Sequence, residues 1–100
     1  MSSVREIVHQ RELFSVEEHQ SVADVARKMA DLHVGAILVF SGGQLSGVFS
    51  ERDLMKRVVV EGRNPERTPV GQVMSTDLFK IDETASLEAA QVSAPDVALA

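Results

Sequence analysis

Two hydrophobic periods alternate along the chain, and the switches between them mark its elements. Val22, Val25, Ala26, Met29 and Ala30 recur at i, i+3, i+4 and i+7, the stripe of a helix with one buried side. Ser21 opens that stripe with the pattern S-x-x-D ending in Asp24, a capping box, and Gly35 follows the last turn as a natural stop. Ala36-Ile-Leu-Val-Phe40 is then continuously apolar, as expected of a strand buried on both faces. Ser41-Gly-Gly-Gln44 reads as a hairpin turn and residues 45–50 as the returning strand. A second helix is predicted over residues 51–61, with Leu54, Met55, Val58 and Val59 on its apolar face. Upstream, residues 4–10 read as a short helical lead-in and residues 13–16 as a strand. The order strand, helix, strand, strand, helix predicts an α+β sandwich, with two helices on one face of a three-stranded sheet.

Part of this pattern returns. Val4-Arg-Glu-Ile-Val8 resembles Val70-Gly-Gln-Val-Met74, Leu13-Phe-Ser-Val-Glu-Glu18 resembles Leu78-Phe-Lys-Ile-Asp-Glu83, and Ser21-Val-Ala-Asp-Val25 resembles Ser86-Leu-Glu-Ala-Ala90. The offset is 65 or 66 residues throughout, so a supersecondary unit is duplicated. Residues 1–62 form the first unit. Residues 63–69, which include Pro65 and Pro69, are predicted as a linker, and residues 70–100 as a partial second unit. In that second unit residues 78–81 are predicted as a strand and a helix is predicted to open at Ser86. Pro95 breaks the helical pattern, and nothing after it supplies a second hairpin or last helix.

Composition narrows the function classes. A hydrophobic share of 44 % with 25 % charged residues is that of a globular domain. A net charge of −5, with no Trp and no Tyr, argues against nucleic acid as a partner. The longest apolar run has five residues, far short of a membrane span, and no basic amphipathic helix is present. Residues 1–6 carry no apolar signal region, so a cytoplasmic protein is expected. The absence of cysteine excludes disulfides, thiolate metal sites and a Cys nucleophile. His19 and His33 read as structural, and no histidine pair has metal-ligand spacing. The basic residues from Arg52 to Arg67 are nearly balanced by acidic ones, as on a solvated helix face.

The segments Val34-Gly-Ala-Ile-Leu-Val39 and Gly47-Val-Phe-Ser-Glu-Arg-Asp-Leu54 resemble the cystathionine β-synthase (CBS) domain family. The second fits the family's G-h-x-[S/T]-x-x-D pattern, where h is apolar, at a strand-to-helix junction after a hairpin. The resemblance is close over residues 4–61 and partial over 70–91. It implies a CBS-type β-α-β-β-α sandwich and a non-catalytic, regulatory module. It also implies a cleft for an adenine nucleotide or a related ligand: AMP, ADP, ATP or S-adenosylmethionine. No cofactor or metal is expected. Two departures stand out: Leu38 replaces a frequent proline, and the second unit has no [S/T]-x-x-D segment of its own.

The residues carrying this expectation have two readings each. Ser50 can donate a hydroxyl to a phosphate at a helix start, Arg52 can neutralise phosphate charge, and the Asp53 carboxylate can accept from a ribose diol. Equally, Ser50-Glu-Arg-Asp53 is itself a capping box whose side chains satisfy each other's backbone. Val34, Gly35, Ala36 and Ile37 would line an adenine pocket, or form a helix stop followed by a core strand. His9 stands where the family often has Thr against the ligand, or is an exposed loop histidine. A Ser-His-Asp triad is not expected, because Ser50 and Asp53 share one helical turn and the carboxylate cannot orient a distant imidazole. The apolar central strand, with helices for one sheet face only, predicts a homodimer or larger assembly. The alternative function is a ligand-free oligomerisation or protein-interaction module of the same fold.

Overall fold

The computed structural model describes the backbone of residues 14–93 and side chains through residue 87. The predicted lead-in at 4–10, including His9, lies outside the described residues.

Strand β1 (Ser15–Glu17), helix α1 (Val22–Leu32), and strands β2 (Ala36–Ser41) and β3 (Gln44–Ser50) follow in the predicted order. β2 is central, parallel to β1 and antiparallel to β3. Gly42 and Gly43 link β2 to β3 with φ of 57° and 84°, the positive values that a tight two-residue hairpin turn requires. Helix α2 opens with one α-helical turn, Glu51–Asp53, and continues as a π-helix over Leu54–Val59.

The strand period divides the sheet's side chains between two faces. Val16, Ile37, Val39 and Phe49 join Val22, Val25 and Met29 of α1 and Val58 of α2 in the main core. Leu38, Phe40 and Val48 are also buried but stand outside that cluster, on the opposite face. The all-apolar run of β2 is thus buried on both sides, as its composition predicts.

Three local predictions are corrected. The left-handed residue closing α1 is His33 (φ 58°), not Gly35. Its N–H donates to Ala30 and that of Val34 to Met29, so the Schellman bonds form two residues earlier than the glycine suggests. Met55 and Val59 are exposed, at 53 % and 67 %, while Leu54 and Val58 face inward. The wider π turn narrows the buried stripe to one row. Residues 78–81, predicted as a strand, form the first turn of a 16-residue helix, α3 (Leu78–Ser93). The Asp77 carboxylate accepts from the backbone N–H groups of Phe79 and Lys80, at 2.9 and 3.4 Å, and so caps the helix at its start.

Residues 63–75 pack back onto the first unit. The first N–H groups of α1 have no partner within the helix. Val22 donates to the Thr68 carbonyl and Ala23 to that of Pro65, each at 2.9 Å. Val70, which opens a short 3-10 turn (Val70–Gln72), and Val73 enter the main core at 0 % and 1 % exposure. Ser75 then exchanges two backbone hydrogen bonds with Val48, at 2.7 and 2.9 Å, along the outer edge of β3. Helix α3 follows and lies across β2 and β3, burying Ile81. The sheet therefore has α1 and α2 on one face and α3 on the other, which corrects the expectation that a second copy must cover an open face.

Candidate functional site

The end of β3, the start of α2 and the start of β2 meet at one junction. The Glu51 N–H donates to the Gly35 carbonyl at 2.9 Å, and Ala36 pairs with Ser50 across the strands. Ser50 has the extended backbone of an N-cap, and its capping box is complete. The Asp53 N–H donates to Ser50 Oγ at 3.2 Å, and Asp53 Oδ2 accepts from both the N–H and the hydroxyl of Ser50 at 3.0 Å.

Asp53 is 4 % exposed, so its charge needs compensation from within the protein. The two Ser50 donors supply part of it. Arg57 Nε, 3.7 Å from Asp53 Oδ1, supplies the rest and also donates through Nη1 to the Met74 carbonyl at 2.9 Å. Asp53 thereby joins the cap, through Arg57, to the segment that runs along the outer edge of β3. Arg57 is a site residue that the apolar pattern and the S-x-x-D motif do not single out. Its signal was the i, i+4 spacing from Asp53, which places opposite charges on one helix side.

The predicted residues divide between two clefts. Ala36, Ser50 and Arg52 line a pocket of about 270 Å³, together with Val48 of β3 and Lys80, Glu83, Thr84 and Leu87 of α3. Its floor is the sheet face opposite the main core, and α3 forms its other wall. Val34 lies instead on a larger cleft of about 500 Å³ between α1 and α2, with Met29, His33, Glu51 and Leu54. Gly35 lies in sequence between Val34 of one cleft and Ala36 of the other. A Cβ there would meet only the Glu51 carboxylate, at an ordinary 3.6 Å, so close approach does not require glycine at this position. Ile37 is 0 % exposed, in the main core, and its side chain lines neither cleft.

Lys80 and Thr84 are pocket residues that the sequence did not reveal, because residues 78–81 read as a strand. Among the described residues no group of three or more His, Asp or Glu side chains could hold a metal ion, and no helix is long and apolar enough to cross a membrane.

Comparison with known proteins gives this geometry a context. The family model for the CBS domain matches residues 4–60. The CBS domain-containing protein YhcV of Bacillus subtilis is 37 % identical over 88 residues, covering 88 % of this chain and 61 % of that protein. CBSCBSPB2 of Arabidopsis thaliana is 35 % identical over 79 residues, 77 % of this chain but 15 % of that one. Among solved structures, a protein with CBS domains from Burkholderia ambifaria MC40-6 superposes with a TM-score of 0.63 at 31 % identity, over 68 % of this chain and 50 % of its own. A cystathionine β-synthase domain protein fused to a Zn-ribbon-like domain gives a TM-score of 0.60 at 30 % identity, over 63 % of this chain and 91 % of its own.

Proposed function

The chain belongs to the CBS domain family, and from that premise we propose that it is a cytoplasmic regulatory module that binds an adenine nucleotide and performs no chemistry of its own. The observation that carries this reading is the gathering of Ala36, Ser50 and Arg52 on one pocket beside the buried Asp53. Arg52 supplies a fixed positive charge for a phosphate, and the Ser50 hydroxyl, whose proton goes to Asp53 Oδ2 in the closed capping box, becomes a donor to it once that bond opens. Ala36 and Val48 supply an apolar floor for the nucleoside. The pocket's roughly 270 Å³ lies just below the range of about 300–1,000 Å³ usual for small-molecule sites, which favours a mononucleotide over a dinucleotide. Asp53 reaches a ribose diol only if its bonds to Ser50 loosen. In the closed capping box it acts by holding the Ser50 hydroxyl in place.

A thermal-shift panel of AMP, ADP, ATP, NAD and S-adenosylmethionine tests the reading. A ligand present at 100 times its dissociation constant stabilises the fold by about 2.7 kcal/mol. A raised Tm with mononucleotides is expected. No shift with any panel member at millimolar concentration contradicts the proposal.

A second reading, association between copies of the chain, is favoured by a different observation. Met55 and Val59 on α2, and Val60 just after it, are exposed large apolar residues, as are Leu78, Phe79 and Leu87 on α3. Because α3 already covers the second sheet face, a homodimer or larger assembly would form through these helix surfaces. The two readings are compatible on α2, where Met55 and Val59 lie outside the pocket, while Leu87 of α3 belongs to both surfaces.

A further inference from the structure

We propose that helix α3 supplies half of an anion subsite, with Lys80 and Thr84 facing Ser50 and Arg52, so that a phosphate-bearing ligand clamps this helix onto the sheet. The proposal rests on the nucleotide reading above and deepens it by naming the responding element.

Two independent observations carry it. First, Thr84 is 9 % exposed and lines the pocket, yet its hydroxyl has no hydrogen-bond partner among the described residues. A buried hydroxyl left unpaired is unfavourable, and a ligand oxygen in the pocket that Thr84 lines would satisfy it. Second, Arg52 and Lys80 reach the same pocket from opposite walls, and neither has an acidic partner among the described residues. Elsewhere Arg27, Arg57 and Arg63 each pair with a carboxylate. Two unpaired cations converging on one small cavity, in a chain of net charge −5, form a local positive site against the overall charge. Glu83 is the one acidic side chain on the pocket wall and opposes an anion there.

The consequence is regulatory. Ser50 and Arg52 belong to the β3–α2 junction, whereas Lys80 and Thr84 belong to α3. An anion held by both sets bridges two elements that, among the described side chains of α3, meet mainly through the buried Ile81 and Thr84. The ligand's differential affinity for the docked helix then shifts the equilibrium between docked and released α3. The apolar face of β2 and β3 beneath α3 is covered or uncovered accordingly.

Titration calorimetry with AMP and with adenosine, on the wild-type chain and on Lys80→Gln and Thr84→Val, tests the proposal. Lys80 is exposed and Val matches Thr in shape, so both variants retain the fold. Wild type is expected to bind AMP more tightly than adenosine. Each substitution is expected to weaken AMP by about tenfold, leave adenosine unchanged, and abolish the slowing of hydrogen exchange in α3 that AMP produces. Equal AMP affinity in wild type and both variants overturns the α3 subsite and leaves the nucleotide reading standing. Failure of the wild-type chain to bind either compound overturns both.

Discussion

Asp53 owes its position to Ser50 and Arg57, and its removal measures what they hold together. Asp53→Ala leaves the Ser50 N–H and the Arg57 guanidinium without their carboxylate. Unfolding by urea is expected to show a loss of about 1–2 kcal/mol, the scale of a lost cap; an unchanged midpoint contradicts the role given to the capping box. Gly47 has a different constraint. A Cβ there would lie 2.5 Å from Met74 Sδ and 2.8 Å from the Ser75 carbonyl oxygen. Gly47→Ala must therefore push residues 74 and 75 off the edge of β3, at a cost of about 1–3 kcal/mol by the same assay. His33 offers the opposite case. It holds a left-handed φ of 58° at the end of α1, so His33→Gly is expected to raise stability by about 1 kcal/mol. Destabilisation on that change would mean that the imidazole makes a compensating contact. Of these residues, Ser50 and Asp53 were legible because the S-x-x-D spacing has a local mechanism. The requirement at Gly47 was not, since it comes from a segment 27 residues further along the chain.

At the level of elements, legibility followed the range of the forces involved. The Val22, Val25 and Met29 row of α1, the Gly42-Gly43 hairpin and the doubly buried β2 are specified by neighbours within a few residues and stand as predicted, whereas Ala30, predicted on the same stripe, is exposed. The π geometry of α2 depends on bonds such as Val60 N–H to the Met55 carbonyl, which the apolar pattern does not encode. Residues 78–81 failed for another reason. Leu78-Phe79-Lys80-Ile81 is too short for its period to separate strand from helix, and its likeness to residues 13–16 favoured the strand. The overlooked signal was Asp77 at the N-terminal boundary. As a helix, α3 buries Ile81 at 7 % exposure but leaves Phe79 at 87 %. Among the described side chains its attachment is accordingly narrow, and Ile81→Ala is expected to release it. Limited proteolysis is expected to cut within residues 78–93 of that variant faster than in wild type, while Phe79→Ala leaves the cleavage rate of the monomeric chain unchanged. Equal protection in wild type and Ile81→Ala contradicts the docking of α3 through this residue.

Across the whole molecule, residues 63–75 matter most to how the unit is bounded. Their sequence predicts a linker and the opening of a second unit, yet Thr68, Val70, Val73 and Ser75 are buried against the first. Prolines at 65 and 69 mark a break in local structure, and such a mark carries no information about tertiary packing. The same packing leaves the outer faces of α2 and α3 as the apolar surface available for association. Light scattering after gel filtration is expected to give a multiple of 10.9 kDa, and Met55→Glu with Val59→Glu to shift it towards the single chain. A wild-type monomer at tens of micromolar contradicts the association. The nucleotide pocket is tested most directly by a backbone NMR titration with AMP. Chemical-shift changes that saturate and centre on Ala36, Ser50, Arg52, Lys80 and Thr84 are the expected result. An unperturbed spectrum at millimolar AMP, or changes centred on the cleft at Met29, His33 and Leu54, would contradict a nucleotide site between the β3–α2 junction and α3.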